Sequence, residues 1–285
     1  MGSIVEISVI MGVYNPKNQE RFFYAVKSVV QQTFQSWEMI LYDDGSDEAY
    51  KKSIEWAASL DDRIFLIRSE KNRGLAYALN QCIRKASGRY IARMDDDDIA
   101  RKDRLEKQFR FLELHPQYQW VGSNAELIDK RGVWGCRKVP EIPGKKDFLF
   151  TSPYIHPSVM FHKRVLKENG GYNTSGDFLF CEDYELFMRL HRKGLQGYNL
   201  QEMLLQYTED YAAHKKRTYR RRIREMKVRY RGFKQLGILN KITFYHVFRP
   251  LMVGAVPALL RHYIKKTMKG FRIWERKEKT STENV

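Results

Sequence analysis

The chain predicts an α/β protein: a mostly parallel central sheet with helices on both faces, followed by a basic helical C-terminal extension. Three observations lead there. Short apolar runs alternate with helical periods through the N-terminal part, the pattern of successive β-α units. Polar clusters stand at the ends of those runs, where open parallel sheets bind their ligands. The composition is that of a globular chain, with 43% hydrophobic and 13% aromatic residues among 285, enough to bury a substantial core.

Taken in order, residues 7–13 read as a strand, and Phe22, Phe23, Val26, Val29 and Val30 form one helical stripe. A second strand spans 37–42, a helix 54–60, a third strand 64–67, a helix 75–86 and a fourth strand 90–94. The strand exits carry Tyr14-Asn15, Asp43-Asp44-Gly45-Ser46 and Asp95-Asp96-Asp97, three polar signals on one edge. Residues 117–161 hold β-formers and turn residues (Pro140, Pro143, Gly144, Pro153, Pro157) and read as an insertion of mixed strands. Asn169-Gly170-Gly171 marks a tight turn. Residues 182–193 show Leu186, Phe187 and Leu190 at helical spacing, with Gly194 as the stop. Beyond His214 a basic helical segment opens with Lys215-Lys216-Arg217 and Arg220-Arg221-Arg222. An apolar stretch at 250–260 and the cations Arg261, Lys265, Lys266 and Lys269 follow.

The four consecutive aspartates 95–98 repel one another unless a cation sits among them. Hard oxygen ligands suit Mg²⁺ or Mn²⁺, ions commonly shared with substrate phosphates. In an Asp95-x-Asp97 pair, one carboxylate can hold a metal while the other orients a ribose or a metal-bound water. The lesser alternative is that Asp98 merely caps a helix starting near Lys102, with the other carboxylates solvated. Asp43-Asp44 offers an acceptor for a nucleobase N–H, although the sequence there also makes a plain β-turn. Glu182-Asp183 opens an amphipathic helix, where the helix dipole would keep a carboxylate ionised at neutral pH. That suits a general base, and simple N-capping accounts for it as well.

Charge is lopsided: 51 Lys+Arg against 34 Asp+Glu, formally +17, which favours phosphate-bearing or anionic partners. Cys82, Cys136 and Cys181 are widely spaced and form no CxxC, so neither a disulfide framework nor a zinc site is expected, and a reducing cytoplasm fits. The first residues run into a strand pattern with no basic n-region, so no signal peptide is expected. No run of eighteen apolar residues is present, so no ordinary membrane span is expected.

Taken together, residues 7–15 (Ile7 to Asn15), Asp43-Asp44-Gly45-Ser46, Asn72-Arg73-Gly74-Leu75-Ala76 and 90–98 resemble family 2 glycosyltransferases, over roughly residues 4–210. The resemblance implies a GT-A fold, a nucleotide-sugar donor, a divalent metal and inversion at the anomeric carbon. It implies that Tyr14, Asn15, Asn72, Arg73 and Gly74 line the donor pocket and that Asp44 (or Asp43) meets the base. Asp95 would serve ribose or metal, Asp97 the metal, Asp183 would be the catalytic base, and Glu182 would join the substrate-binding residues. His156, in His156-Pro157-Ser158, would approach the diphosphate or the acceptor; a structural His beside Pro157 is the alternative. Residues 197–202 and the basic tail are similar to glycosyltransferases of Gram-positive biofilm and capsular exopolysaccharide loci. A UDP-sugar donor and a lipid-linked oligosaccharide acceptor follow from that likeness.

Two departures matter. The Gln-x-x-Arg-Trp signature and membrane spans of processive synthases are missing, which implies one sugar per binding event. Thr208 stands where many relatives have Arg, leaving His214 or Lys215 to grip the diphosphate. The expected organisation is a catalytic domain at 1–212, a membrane-associating extension at 213–275 and a flexible tail at 276–285. Tyr219, Tyr230 and Phe233 interleave with the charges, and Phe244, Tyr245, Phe248, Leu251, Met252 and Val253 follow. This reads as a segment (215–269) lying on an anionic membrane surface at the inner face of the cell membrane, with no nucleic-acid module. A sugar-phosphate nucleotidyltransferase and a transferase-like binding module without turnover are the rival readings. The first normally has a Gly-rich, Arg-containing loop where this chain has Gly12-Val13-Tyr14-Asn15-Pro16.

Overall fold

The computed structural model describes residues 5–209 and 218–255, with 263 and 267. The expectations for His214, for Lys215 to Arg217, for Arg261, Lys265, Lys266 and Lys269, and for the 276–285 tail lie outside the described residues.

The β-α alternation is present. In order come β1 (Ile7–Val13), α1 (Gln19–Val30), β2 (Trp37–Asp43), α2 (Glu48–Ala58), β3 (Ile64–Arg68), α3 (Leu75–Lys85) and β4 (Tyr90–Arg93). These strands lie in the order β3-β2-β1-β4, every neighbouring pair parallel. Their runs are apolar on both faces because helices cover both sides. β1 sits centrally, with Val13 beside Asp43 and Ile10 beside Arg93, so the polar exits of β1, β2 and β4 share one edge.

The remaining elements are β5 (Ile99–Ala100), α4 (Arg104–Leu114), β6 (Trp120–Asp129), β7 (Gly132–Arg137), β8 (Met160–His162), α5 (Lys163–Glu168), α6 (Glu182–Arg192) and β9 (Gly197–Thr208), then α7 (Tyr219–Leu236) and α8 (Tyr245–Ala255). The sheet continues from β4 through β8, β6 and β9 to β5, with β7 paired on β6, making nine strands. β6 and β9 are parallel; β4 with β8, β6 with β8, β6 with β7 and β5 with β9 are antiparallel. The 117–161 region is thus no separate insertion. Trp120 pairs with Phe161 and Val121 with Met160, all buried, and these apolar pairs stitch it into the main sheet.

Two apolar cores flank the sheet. One gathers Phe22, Val26 and Val29 of α1 with Ile54 of α2 and Leu105 of α4. The other gathers Leu79 and Cys82 of α3, Val165 of α5, Leu186 and Phe187 of α6, and Val228, Phe233 and Leu236 of α7. α2 begins six residues before the helix expected at 54–60 (54 − 48 = 6), because its first turns are polar and bury little. α7 is anchored at both ends, by Thr218 accepting from the Arg221 N–H and by Gly237 at φ 72°. Arg222, Arg229, Gly232, Phe233 and Leu236 make its inward stripe. Phe233, expected among the surface charges, is therefore in the core. Gly232 lets α7 approach α6 closely, since a Cβ there would lie 2.3 Å from the Met188 sulfur.

Candidate active site

The β2 exit is held as a folded turn. The Asp43 carboxylate is fully buried, accepting from the Ser46 N–H at 2.9 Å and from Arg68 Nε at 3.0 Å. Asp44 accepts from the backbone N–H groups of Arg73 (3.0 Å) and Gly74 (2.7 Å), which ties the 72–74 loop to the turn. Burial raises the Asp44 pKa, and those two N–H groups partly oppose the rise. Asn15, at φ 46°, spans from the β1 exit: its amide donates to the Asp47 carboxylate and accepts from the Asp47 N–H, each at 2.8 Å. Tyr14 is half exposed beside it. Asn72 and Arg73 are exposed, and the Arg73 guanidinium lies over the Tyr77 ring at 4.8 Å. Tyr14, Asn15, Asp43, Asp44, Asn72, Arg73 and Gly74 thus line a single exit region.

Past β4, the carboxylates of Asp95, Asp97 and Asp98 each present an oxygen within 4.8 Å of the others. Asp98 is no helix cap. Its Oδ1 accepts from the Thr208 N–H at 2.7 Å, and its buried Oδ2 has no hydrogen-bond partner among the described residues. α4 instead begins at Arg104, after Asp103. Thr208 Oγ1 donates to the Asp97 carbonyl and accepts from Arg21 Nη1, so α1 and β9 together brace the cluster. Beneath it lies Arg93, 1% exposed and ion-paired with Asp95. Burial and the neighbouring carboxylates Asp97 and Asp95 push the pKa values of Asp96 and Asp98 upward. An orphaned carboxylate oxygen in a three-carboxylate cluster is the donor set of a hard divalent cation, so Mg²⁺ or Mn²⁺ fits these residues.

The start of α6 approaches the same region. Asp183 feels the charges of Arg137 and Arg93, and Arg93 also acts on Glu182. Burial raises the Asp183 pKa, contrary to the expectation from the helix dipole, because desolvation outweighs the N-terminal N–H groups. Glu182 is pushed up to about 7 by burial and by Asp183, and its Oε2 is buried without a partner among the described residues. His156 is buried, its Nε2 2.7 Å from the Tyr172 hydroxyl. Burial and Arg93 hold it neutral. Sequence reasoning passed over Arg93 and Arg137, and counted Asp98 in the acidic run without giving it a ligand role. Arg93 carried a signal, being the one charged residue in the β4 run Tyr90-Ile91-Ala92-Arg93.

The half-parallel mixed sheet with a carboxylate-lined strand edge is a fold of the GT-A type. The description Glycosyl transferase family 2 matches residues 8–170, and the chain belongs to that family. Among its relatives, a Bacillus subtilis (strain 168) chain bearing the name of a glycosyltransferase, EpsE, is 35% identical over 268 residues, covering 93% of this chain and 95% of EpsE. The amylovoran biosynthesis glycosyltransferase AmsE of Erwinia amylovora is 30% identical over 203 residues, 70% of this chain and 74% of AmsE. Among solved structures, S. aureus TarS 1-349 in complex with UDP-GlcNAc shares the fold at TM-score 0.64 and 17% identity, covering 86% of this chain and 73% of TarS 1-349. The Pyrobaculum calidifontis mannosyltransferase PcManGT, in complex with GDP-Man and Mn²⁺, does so at TM-score 0.59 and 16% identity, covering 94% and 82%.

Proposed function

We propose that this family 2 enzyme moves one sugar per binding event from a nucleotide-sugar to a hydroxyl of a lipid-linked saccharide in bacterial exopolysaccharide or capsule synthesis. The transfer inverts the anomeric carbon and depends on a divalent metal. The chain works peripherally at the inner face of the membrane. The observation that carries this reading is the convergence of the Asp44 turn, the Asp95–Asp97–Asp98 cluster and Asp183 on one sheet edge. No described helix is long and apolar enough to cross a membrane.

In this mechanism Asp44, with Asp43 behind it, receives the base, and Asn15 and the 72–74 loop close the pocket around the nucleoside. Mg²⁺ or Mn²⁺ on Asp95, Asp97 and Asp98 would neutralise charge developing on the departing diphosphate. Asp183 takes the proton of the acceptor hydroxyl, whose oxygen bonds to the anomeric carbon from the face opposite the leaving group. The bond from that carbon to the diphosphate oxygen breaks, and the nucleoside diphosphate leaves with the electron pair. The raised Asp183 pKa brings the base nearer to neutrality, as proton abstraction requires. The carrier is UDP in this reading, as in the TarS complex; the GDP-Man of PcManGT makes GDP the alternative to test.

Thermal denaturation with UDP, GDP and other nucleoside diphosphates, with and without Mn²⁺, tests the proposal. A ligand at a hundred times its dissociation constant should add about 2.7 kcal/mol. One nucleotide should stabilise in a metal-dependent way, and Asp97→Ala should abolish the shift. Asp183→Asn should keep the shift while turnover falls about a hundredfold or more. Turnover near wild type in Asp183→Asn would refute the base assignment, and no shift with any nucleotide would refute the donor site.

A further inference from the structure

Between the end of β9, α7 and α8 lies a cavity of about 400 Å³. Its walls include Arg137, Tyr207, Arg222, Arg229, Arg249 and Val253. Four guanidinium groups face two carboxylates, Glu209 and Glu225. One of the four is neutralised within the protein, for Arg229 pairs with Glu225 at 3.0 Å and donates to the carbonyls of Leu149 and Phe150. Arg222 is not satisfied in this way. It is 5% exposed, and Nη1 donates to the Pro250 carbonyl at 2.9 Å. Nη2 is buried and has no partner among the described residues. Leaving a charged donor unpaired in the interior is costly, and an anion is what relieves it.

Two further features narrow the anion. Arg137 and Tyr207 lie within electrostatic range of the reacting region: Arg137 acts on Asp183, and Tyr207 feels the charges of Asp98 and Asp95. On the opposite side the cavity borders an apolar surface. Val253 belongs both to its wall and to the exposed set of Phe244, Tyr245, Phe248, Met252 and Val253. A cationic pocket with an apolar rim on one side and a catalytic carboxylate on the other complements an amphiphile whose anionic group joins a lipid to a sugar.

We propose that this cavity seats the diphosphate of a polyprenyl-diphosphate-linked acceptor, with the prenyl chain lying along the exposed face of α8 and the sugar directed toward Asp183. The inference rests on the lipid-linked acceptor proposed above. Arg222 and Arg249 receive the phosphate oxygens. Arg137, whose charge acts on Asp183, meets the end of the diphosphate nearest the sugar.

The test is sedimentation of the full chain with phosphatidylcholine vesicles doped with geranylgeranyl diphosphate, compared with geranylgeraniol and with phosphatidylglycerol matched for charge. The diphosphate vesicles should bind roughly tenfold or more tightly than either control, a difference of about 1.4 kcal/mol. Arg222→Gln should remove that preference. Arg249→Gln, on an exposed side chain that donates to the Phe150 carbonyl, should reduce it independently, and the nucleotide-induced thermal shift should persist in both. A preference that survives both substitutions overturns the pocket and leaves the lipid-linked acceptor standing. Equal binding to all three vesicles overturns both. Loss of the nucleotide shift in the arginine variants assigns the cavity to the donor diphosphate and overturns the proposal.

Discussion

Arg93 is the residue on which the candidate site turns. A buried arginine at the exit of a central strand is expensive unless carboxylates surround it, and here Asp95 pairs with it while Asp98, Glu182 and Asp183 lie within its field. Glu182 shows the opposite balance, burial outweighing its charged neighbours. Its folded pKa of about 7 lies above the ordinary 4.5, so the folded state holds the proton more tightly than the unfolded chain. Below both values the group contributes no difference. As pH rises from 4.5 through 7 the fold loses stability, because the unfolded state ionises first. Glu182→Gln removes that penalty. In urea melts with chelator present, the variant should gain about 1–3 kcal/mol on wild type between acid and mildly alkaline pH. A constant difference across that range would show that Glu182 titrates normally.

At the scale of elements, the Asp43–Ser46 turn and the 72–74 loop form one unit. Gly45 has φ +76°, and a Cβ on it would lie 2.6 Å from the Lys71 carbonyl carbon and 2.8 Å from the Asn72 nitrogen. Gly45→Ala should therefore cost about 1–3 kcal/mol through backbone strain and displace the loop whose N–H groups hold Asp44. Gly132, the first residue of β7, has φ +107° with open space around it. Gly132→Ala should carry the strain alone and keep the nucleotide-induced shift that Gly45→Ala loses. Equal shifts in the two variants would separate the turn from the donor site. α7 teaches a related lesson. Its Lys and Arg content reads as a membrane-facing surface, yet Arg222 and Arg229 point inward, where a pocket and two carbonyls employ them.

For the whole molecule, the membrane attachment proposed above would draw on both the formal +17 charge and the exposed aromatic face of α8. Attachment to anionic vesicles should have a salt-sensitive part, since the screening length falls from about 30 Å at 0.01 M to about 3 Å at 1 M. The apolar contact should leave a residue of binding at high salt. Sedimentation across that range checks it, and salt-independent binding, or equal binding to neutral vesicles, would argue against an electrostatic address.

The sequence by itself determined the parallel half of the sheet and the three polar strand exits, because an apolar strand followed by a polar turn is a local pattern. The turn at Gly170-Gly171, the stop at Gly194 and the family resemblance were local in the same sense. Tertiary structure alone decided what those residues face. Trp120 and Phe161 are distant in the chain, and only their pairing joins the middle region to the sheet. The strand β9, which delivers the Thr208 N–H to Asp98, carries no strong period of its own. Whether Asp98 caps a helix or joins a carboxylate cluster, whether Arg222 meets solvent or a cavity, and whether burial overrides the helix dipole at Asp183 all depend on contacts between segments far apart in the chain. Burial and charge are properties of surroundings, and a linear chain does not carry its surroundings with it.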